Sequence, residues 1–127
     1  MIPKFRAWNM PFGPKGPMQE MVYGKASSIM AFAEMSPDKY IVEQSTGLKD
    51  ANGKEIYEGD IVHFRSDCLS GLGVVRWNGA GGAWEIDDIR PRTKKRGHRI
   101  YPFYPEAAYR VDGNIHETPE LLEAQHD

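Results

Sequence analysis

The sequence predicts a mainly β protein that folds as one domain. The chain of 127 residues has the size of a single ordinary domain. It contains 13 glycines and 9 prolines, and aromatic residues make up 11% of it. The long stretches of Ala, Leu, Glu and Lys that form long helices do not occur. Short apolar runs between glycine-rich turns are typical of antiparallel strands, and we therefore expect residues 1–127 to form a single β domain.

The N-terminal part of the chain contains one clear strand, one loop and one ambiguous segment. Residues 2–8 alternate between two faces and predict a strand. Prolines and glycines interrupt residues 9–17 and predict a loop. Residues 18–35 fit a helix with Ile29 and Phe32 on one face, and they also fit two short strands. Periodicity does not decide between these structures over so short a window.

The middle of the chain predicts strands joined by tight turns. Asn52-Gly53 supplies the positive φ angles of a hairpin turn, and a second turn follows at 58–60. A glycine-rich reversal at 78–82 joins two further strands into an antiparallel hairpin. The aromatic segment 101–105 contains two prolines, which restrict it to an edge strand or an extended loop. The predicted strands of this region are 40–44, 61–64, 74–77, 83–87 and 109–115.

The end of the chain predicts a short helix. Thr118 suits the N-cap, Pro119 suits the first helical position, and Glu120 lies near the positive end of the helix. Leu121 and Leu122 give this helix an apolar side that can pack on a sheet.

Together these elements predict an N-terminal β extension at 1–45 and a small SH3-like antiparallel barrel portion at 46–127, which includes the short C-terminal helix. The sequences Gly-Asp-Ile-Val at 59–62 and Gly-Val-Val-Arg-Trp at 73–77 fit such a barrel. The reason is that glycines permit the sharp bends that its strands need.

Charge and cysteine content exclude several classes of protein. Lys and Arg number 16 and Asp and Glu 18, which gives a net charge of −2 and excludes a histone-like polycation. The single cysteine, Cys68, excludes an intramolecular disulfide and a multi-thiolate zinc site. Neither a signal peptide nor a run of 18 apolar residues occurs, so we expect a cytoplasmic protein that has no membrane contact.

No catalytic or cofactor motif is present. Cys68 lacks the surroundings of a nucleophilic cysteine, and the four histidines do not have metal-ligand spacing. Glu85 and Asp87 point the same way on a strand, roughly 6–7 Å apart, a spacing that a divalent ion could bridge. Two carboxylates without a third ligand are more typical of a solvated strand face. We therefore expect neither enzyme activity, nor a metal, nor a cofactor.

A basic segment at 90–99 is the one marked shift in composition. It contains six of the 16 Lys and Arg residues and no acid. Such a cluster attracts phosphate groups even when the net charge is negative, because salt screens charges beyond about 8 Å. The aromatic rings that follow could stack on unpaired bases. The candidate nucleic-acid-binding residues are Arg90, Arg92, Lys94, Lys95, Arg96, Arg99, Tyr101 and Tyr104.

Two other interpretations stand beside this one. The basic segment fits a solvated hairpin tip, whose charges pair with Asp87, Asp88 or the acidic tail. The aromatic and proline-rich segments 9–17 and 101–105 fit contact surfaces for another protein, because exposed apolar loops often mark such surfaces.

Three motifs resemble those of a known family. The stretch Thr46-Gly-Leu-Lys-Asp-Ala-Asn-Gly-Lys-Glu-Ile-Tyr-Glu-Gly-Asp-Ile-Val62 resembles the signature of the YopX family of phage and prophage proteins. Residues 1–8 are similar to that family's N-terminus and residues 113–122 to its C-terminal motif. The chain differs from the family pattern at Ser45, where an aromatic residue is common, and at His116, where tyrosine is common.

The resemblance implies a mostly β protein with an SH3-like barrel, often encoded in phage genomes and without an established activity or cofactor. The residues of the long motif are those of turns and of a core. A second interpretation makes Lys49, Asp50 and Lys54 a rim that contacts a ligand.

The sequence therefore predicts a phage- or prophage-encoded accessory protein that acts as a non-catalytic binding module and contacts nucleic acid through 90–99. The alternative is a self-associating protein-interaction module that inhibits or scaffolds a host protein. A metal-dependent nuclease that uses Glu85 and Asp87 is a weaker third option.

Overall fold

The computed structural model describes residues 4–66, 70–90, 99–103 and 107–124. Strands dominate these residues, as the sequence predicts. In chain order the elements are β1 (Lys4–Asn9), β2 (Glu20–Lys25), α1 (Ala26–Met35), a 3-10 turn (Pro37–Lys39), β3 (Tyr40–Lys49), β4 (Glu55–Tyr57), β5 (Asp60–Arg65), β6 (Ser70–Asn78), β7 (Ala83–Asp88), β8 (Ile100–Pro102), β9 (Ala108–Asn114) and α2 (Glu120–Ala124).

The strands form two antiparallel sheets. The first has the order β2-β1-β3-β4 and the second the order β8-β7-β6-β5-β9. The mainly β prediction is confirmed, but the SH3-like barrel is not. Within the described residues neither sheet closes on itself, since β8 and β9 remain the two edges of the second sheet. The N-terminal strands are more than an extension, because β4, from beyond residue 46, completes their sheet.

The ambiguous segment 18–35 contains both a strand and a helix. Residues 20–25 pair with β1 as a hairpin, and the chain then turns directly into α1. Ile29 is the one residue of α1 that is fully buried. Phe32 remains 45% exposed and stacks on Tyr40 with ring centroids 6.2 Å apart. The helix therefore covers the first sheet through a narrow contact.

The main core lies on the second sheet and also holds the two sheets together. Ile56 of β4 is fully buried in it, although β4 is hydrogen-bonded to β3 of the first sheet. Burying one such side chain stabilises a fold by about 1.5–3 kcal/mol. The buried members of this core are Ile56, Val62, Phe64, Val75, Ile86, Tyr101 and Tyr109.

The turn at 50–54 is organised by the carboxylate of Asp50. This carboxylate accepts hydrogen bonds from the backbone N–H groups of Asn52 at 2.9 Å, Lys54 at 2.8 Å and, across the fold, Val111 at 3.1 Å. Burial raises the pKa of Asp50, but these three hydrogen bonds outweigh it and leave the pKa below its ordinary value. Asp50 is thus a structural residue that fastens the turn to β9.

The C-terminal turn differs in one detail from its prediction. The hydroxyl of Thr118 accepts a hydrogen bond from the backbone N–H of Asn114 at 2.9 Å and donates one to the Asn114 carbonyl at 2.9 Å. It therefore closes the turn before α2, and the helix begins two residues later, at Glu120. In the part of the chain that the structure describes, the helices are too short and too polar to cross a membrane.

Candidate functional site

The basic segment connects β7 to β8. These strands pair up to Asp87 and Ile100, and the N–H of Asp88 donates to the carbonyl of Arg99 at 3.0 Å. The two ends of the segment are thus held side by side at the end of the second sheet. Four of its predicted binding residues, and the predicted stacking residue Tyr104, lie outside the described residues. These are Arg92, Lys94, Lys95, Arg96 and Tyr104.

Arg90 is bound within the protein. Its Nη2 lies 2.8 Å from Oδ2 of Asp88, and its Nε lies 3.1 Å from Oδ1 of the same carboxylate. A second bond runs from Nη2 to the hydroxyl of Tyr101 at 3.2 Å. The hydrogen bonds with Asp88 raise the pKa of Arg90. Arg90 thus forms the pair with Asp88 that the solvated-tip interpretation includes.

Tyr101 does not present a free ring for stacking. It is only 6% exposed, and its ring packs edge-on against Phe64 with centroids 5.0 Å apart. The hydrophobic effect holds this ring in the main core, where a nucleic-acid base cannot reach its faces. The predicted stacking role therefore does not fit its position. Arg99 is exposed and forms no ion pair with the described residues.

The two carboxylates of the nuclease option each have a partner. Glu85 accepts a hydrogen bond from the side-chain amide of Asn78 at 2.7 Å, and Asp87 forms an ion pair with Arg76 at 3.1 Å. Among the described residues, no three His, Cys, Asp or Glu side chains come together in a group that could hold a metal ion.

A buried charge cluster at the junction of the two sheets was not predicted. Arg6, only 1% exposed, contacts Glu43 of β3 through Nε at 3.0 Å and Asp60 of β5 through Nη1 at 2.8 Å. Its Nη2 donates to the carbonyl of Glu58 at 3.0 Å. Its guanidinium also lies over the ring of Tyr57, 4.9 Å from the centroid. We call Arg6, Glu43, Asp60 and His116 the junction cluster.

Within this cluster the guanidinium of Arg6 pairs with the carboxyl groups of Glu43 and Asp60. Burial lowers the pKa of Arg6, but the Asp60 and Glu43 carboxylates outweigh it and raise the pKa above its ordinary value. His116 contacts the second oxygen of Glu43 at 3.1 Å and stacks on Trp8, with centroids 5.1 Å apart. The cluster thus joins β1, β3, β5 and the C-terminal turn, and its role is structural.

Gly59 is required where this cluster meets the β4–β5 turn. Its φ of +86° lies in the left-handed region. A Cβ atom at this position would collide with the carboxylate of Glu43. The sequence predicts the turn at 58–60 correctly, but it does not reveal the contact with Glu43, a residue 16 positions earlier, that adds to the need for glycine.

A groove lies beside the junction cluster, between the two sheets. Its volume is about 650 Å³, which is within the usual range for ligand pockets. One wall is formed by residues 41–43 of β3 and the other by residues 74–77 of β6, while Glu58 and Gly59 lie between them. Further apolar lining comes from Ile89, Ile115 and Leu122.

The groove walls carry exposed apolar side chains. Trp77 is 49% exposed and Ile41 is 42% exposed. Trp77 contacts Trp84 edge to face, with centroids 5.1 Å apart. In the sequence, the one signal for this site was the pair of tryptophans on either side of the glycine-rich reversal. That signal says nothing about β3, which is distant in the chain.

Comparisons with known proteins identify a family and include a similar solved structure. The crystal structure of protein EF1440 from Enterococcus faecalis is similar to this chain, with 23% identity and a TM-score of 0.49. The alignment covers 96% of this chain and 99% of that one. No curated protein matches the chain significantly. The sequence model of the family described as "YopX protein" matches residues 4–123, nearly the whole chain, and the chain therefore belongs to the YopX family.

Proposed function

We propose that this YopX protein is a non-catalytic binding module that contacts nucleic-acid phosphates through the basic segment 90–99. The observation that carries the proposal is the charge of the segment, which holds six cations and no acid within ten residues. The segment lies between β7 and β8, which pair up to Asp87 and Ile100. Phosphate contacts from Lys and Arg provide most of the affinity in nucleic-acid binding that does not depend on sequence.

Two of the eight predicted nucleic-acid-binding residues are left out of the proposed contacts. Arg90 is assigned a positioning role, because it already binds Asp88 and Tyr101. Tyr101 belongs to the core. The proposed phosphate contacts are therefore Arg92, Lys94, Lys95, Arg96 and Arg99, with Tyr104 as the remaining stacking residue.

The test is fluorescence anisotropy with labelled single-stranded DNA, duplex DNA and RNA over a salt series. For duplex DNA and five phosphate contacts, log Kd should change with log salt by a slope of roughly 4 to 5. A variant with all five cations changed to Gln should lose the binding.

A control variant with the same change in charge separates a local site from net charge. In this variant, five exposed lysines outside the segment are changed to Gln. They are Lys15, Lys25, Lys39, Lys49 and Lys54. The proposal requires this variant to bind like the wild type. Equal loss in both variants, or no binding by the wild type at low salt, would refute it.

A second candidate function is a self-associating protein-interaction module. It is favoured by large apolar side chains on the N-terminal part of the chain, where Phe12 is 64%, Met18 76% and Met35 81% exposed. Sedimentation velocity of the wild type and of a Phe12→Ser, Met18→Ser double variant tests it. A concentration-dependent oligomer that the double variant does not form would support it, and a monomeric wild type would refute it.

A further inference from the structure

The groove has the width of one extended chain where it meets the β4–β5 turn. The N–H of Glu58 donates to the carbonyl of Gln44 on β3 at 2.9 Å. The N–H of the next residue, Gly59, donates to the carbonyl of Val75 on β6 at 2.9 Å. The two consecutive residues of this turn therefore bond to β3 on one side and to β6 on the other, so a single chain lies between these strands here. At this point β3 and β6 are therefore separated by roughly 9–10 Å, the distance that one inserted strand needs.

Beyond the turn both walls present open strand edges. Gln44 points away from β1, and backbone groups alternate in direction along a strand, so Val42 also points away from β1 and into the groove. By the same alternation Trp77 points away from β7, on the same side as Val75. Within the described residues, the backbone groups of Val42 and Trp77 have no strand partner on these sides.

The closed end of the groove is acidic. Partial burial of Glu58 and the nearby Glu43 carboxylate raise the pKa of Glu58, and they outweigh the backbone N–H of Gln44 and the charge of Arg6, which lower it. No described residue forms an ion pair with Glu58, whereas Glu43 is already bound by Arg6 and His116. A cation placed here would relieve the cost of this half-buried negative charge. The exposed indole of Trp77 adds an aromatic face that cations favour.

We propose that the groove binds an extended segment of a partner polypeptide, which adds as a strand between β3 and β6 and places a Lys or Arg side chain against Glu58. The main-chain hydrogen bonds to both edges give affinity. Trp77 and Ile41 pack against alternate apolar side chains of the segment, and Glu58 selects the cation. This inference is independent of the proposed nucleic-acid contact, since none of its residues belongs to 90–99.

The first experiment selects ligands from a phage-displayed library of random octapeptides on the immobilised full chain. We expect enriched peptides with one Lys or Arg and with apolar residues at alternate positions. An enriched peptide is then labelled with fluorescein and its Kd measured by anisotropy. Failure to enrich any sequence above background would overturn the proposal.

Matched variants locate the binding. Trp77→Ala should weaken the selected peptide at least about tenfold, whereas Phe12→Ala, an exposed aromatic elsewhere at 64% exposure, should not. Glu58→Gln should remove the preference for Lys or Arg over Gln in the peptide, and Glu34→Gln on α1 should leave it intact. Circular dichroism confirms that each variant is folded. Binding that survives Trp77→Ala would overturn the proposal.

The strand geometry has its own readout. A peptide inserted between two edges uses consecutive N–H groups for hydrogen bonds. We therefore expect N-methylation at either of two neighbouring central positions to weaken binding. An effect at alternate positions only would mean addition to a single edge and would contradict the insertion. Concentration-dependent dimerisation that Trp77→Ala abolishes would identify a second copy of the chain as the occupant and would also overturn the proposal.

Discussion

The junction cluster and the basic segment are two groups of charges that differ in their spacing along the sequence, in their burial and in their sign. The junction cluster is formed by residues that are distant in the sequence, is buried, and pairs its cation with two carboxyl groups through short contacts. The basic segment is continuous in the sequence and of one sign, and of its two described cations Arg90 is paired and Arg99 is exposed. The comparison teaches that paired buried charges hold this fold together, and that a charged partner is expected where charges of one sign are clustered.

The largest effect should come from Arg6→Met. It removes the cation of the junction cluster and leaves the carboxylates of Glu43 and Asp60 buried without it, which costs about 3–5 kcal/mol. Urea denaturation measures the free energy of unfolding. The control is Arg110→Met, because Arg110 forms an exposed pair with Asp112 and should leave the free energy unchanged. Equal effects of the two variants would show that the junction cluster is not structural.

The second largest effect on stability should come from Gly59→Ala, and a comparison with Gly53→Ala separates backbone strain from the contact with the junction cluster. Gly59→Ala and Gly53→Ala both place a side chain at positive φ, +86° and +82° respectively. The strain alone costs roughly 1–2 kcal/mol. Only at position 59 does the new Cβ collide with Glu43, so Gly59→Ala should cost at least about 1 kcal/mol more. Thermal or urea unfolding of both variants measures the difference, and equal losses would contradict the close packing of turn and cluster.

Asp50 should show an effect that depends on pH. Asp50→Asn replaces an acceptor-only carboxylate and turns one of its three hydrogen bonds into a clash of N–H groups, at a cost of about 1.5–3 kcal/mol at neutral pH. The pKa of Asp50 is lowered in the fold, so its contribution is complete above its ordinary value and is lost as the pH falls through the lower folded value. The difference between wild type and variant should therefore be constant from about pH 5 to 7 and shrink below about pH 4. A difference that grows on acidification would refute this role.

The smallest effect on stability should come from the basic segment. Replacing its five proposed contact residues with Gln should change the free energy of unfolding by no more than about 0.5 kcal/mol. The same variant should lose nucleic-acid binding. A loss of more than about 2 kcal/mol in the free energy of unfolding would show that these cations stabilise the fold, as the junction cluster does, and would contradict the comparison.

The local features of the fold could be predicted from the sequence because they depend on neighbouring residues. The turn at Asn52-Gly53 follows from the positive φ angle that glycine adopts easily, and Gly53 has that angle, +82°. Most strands follow from apolar alternation. The segment 18–35 could not be decided, because one buried residue, Ile29, carries the packing of its helix. A single buried residue leaves no periodic signal.

The sequence by itself determined the mainly β class, the turns, the family and the basic segment, since each depends on residues adjacent in the chain. Only the tertiary structure decided that the strands form two sheets, that Tyr101 is a core residue, and that Arg6 meets Glu43 and Asp60. It also decided the groove, whose walls come from β3 and β6. The physical reason is that these contacts join residues that are distant in the chain, such as Arg6 and Asp60, which are 54 positions apart, and which partners meet depends on how the whole chain packs.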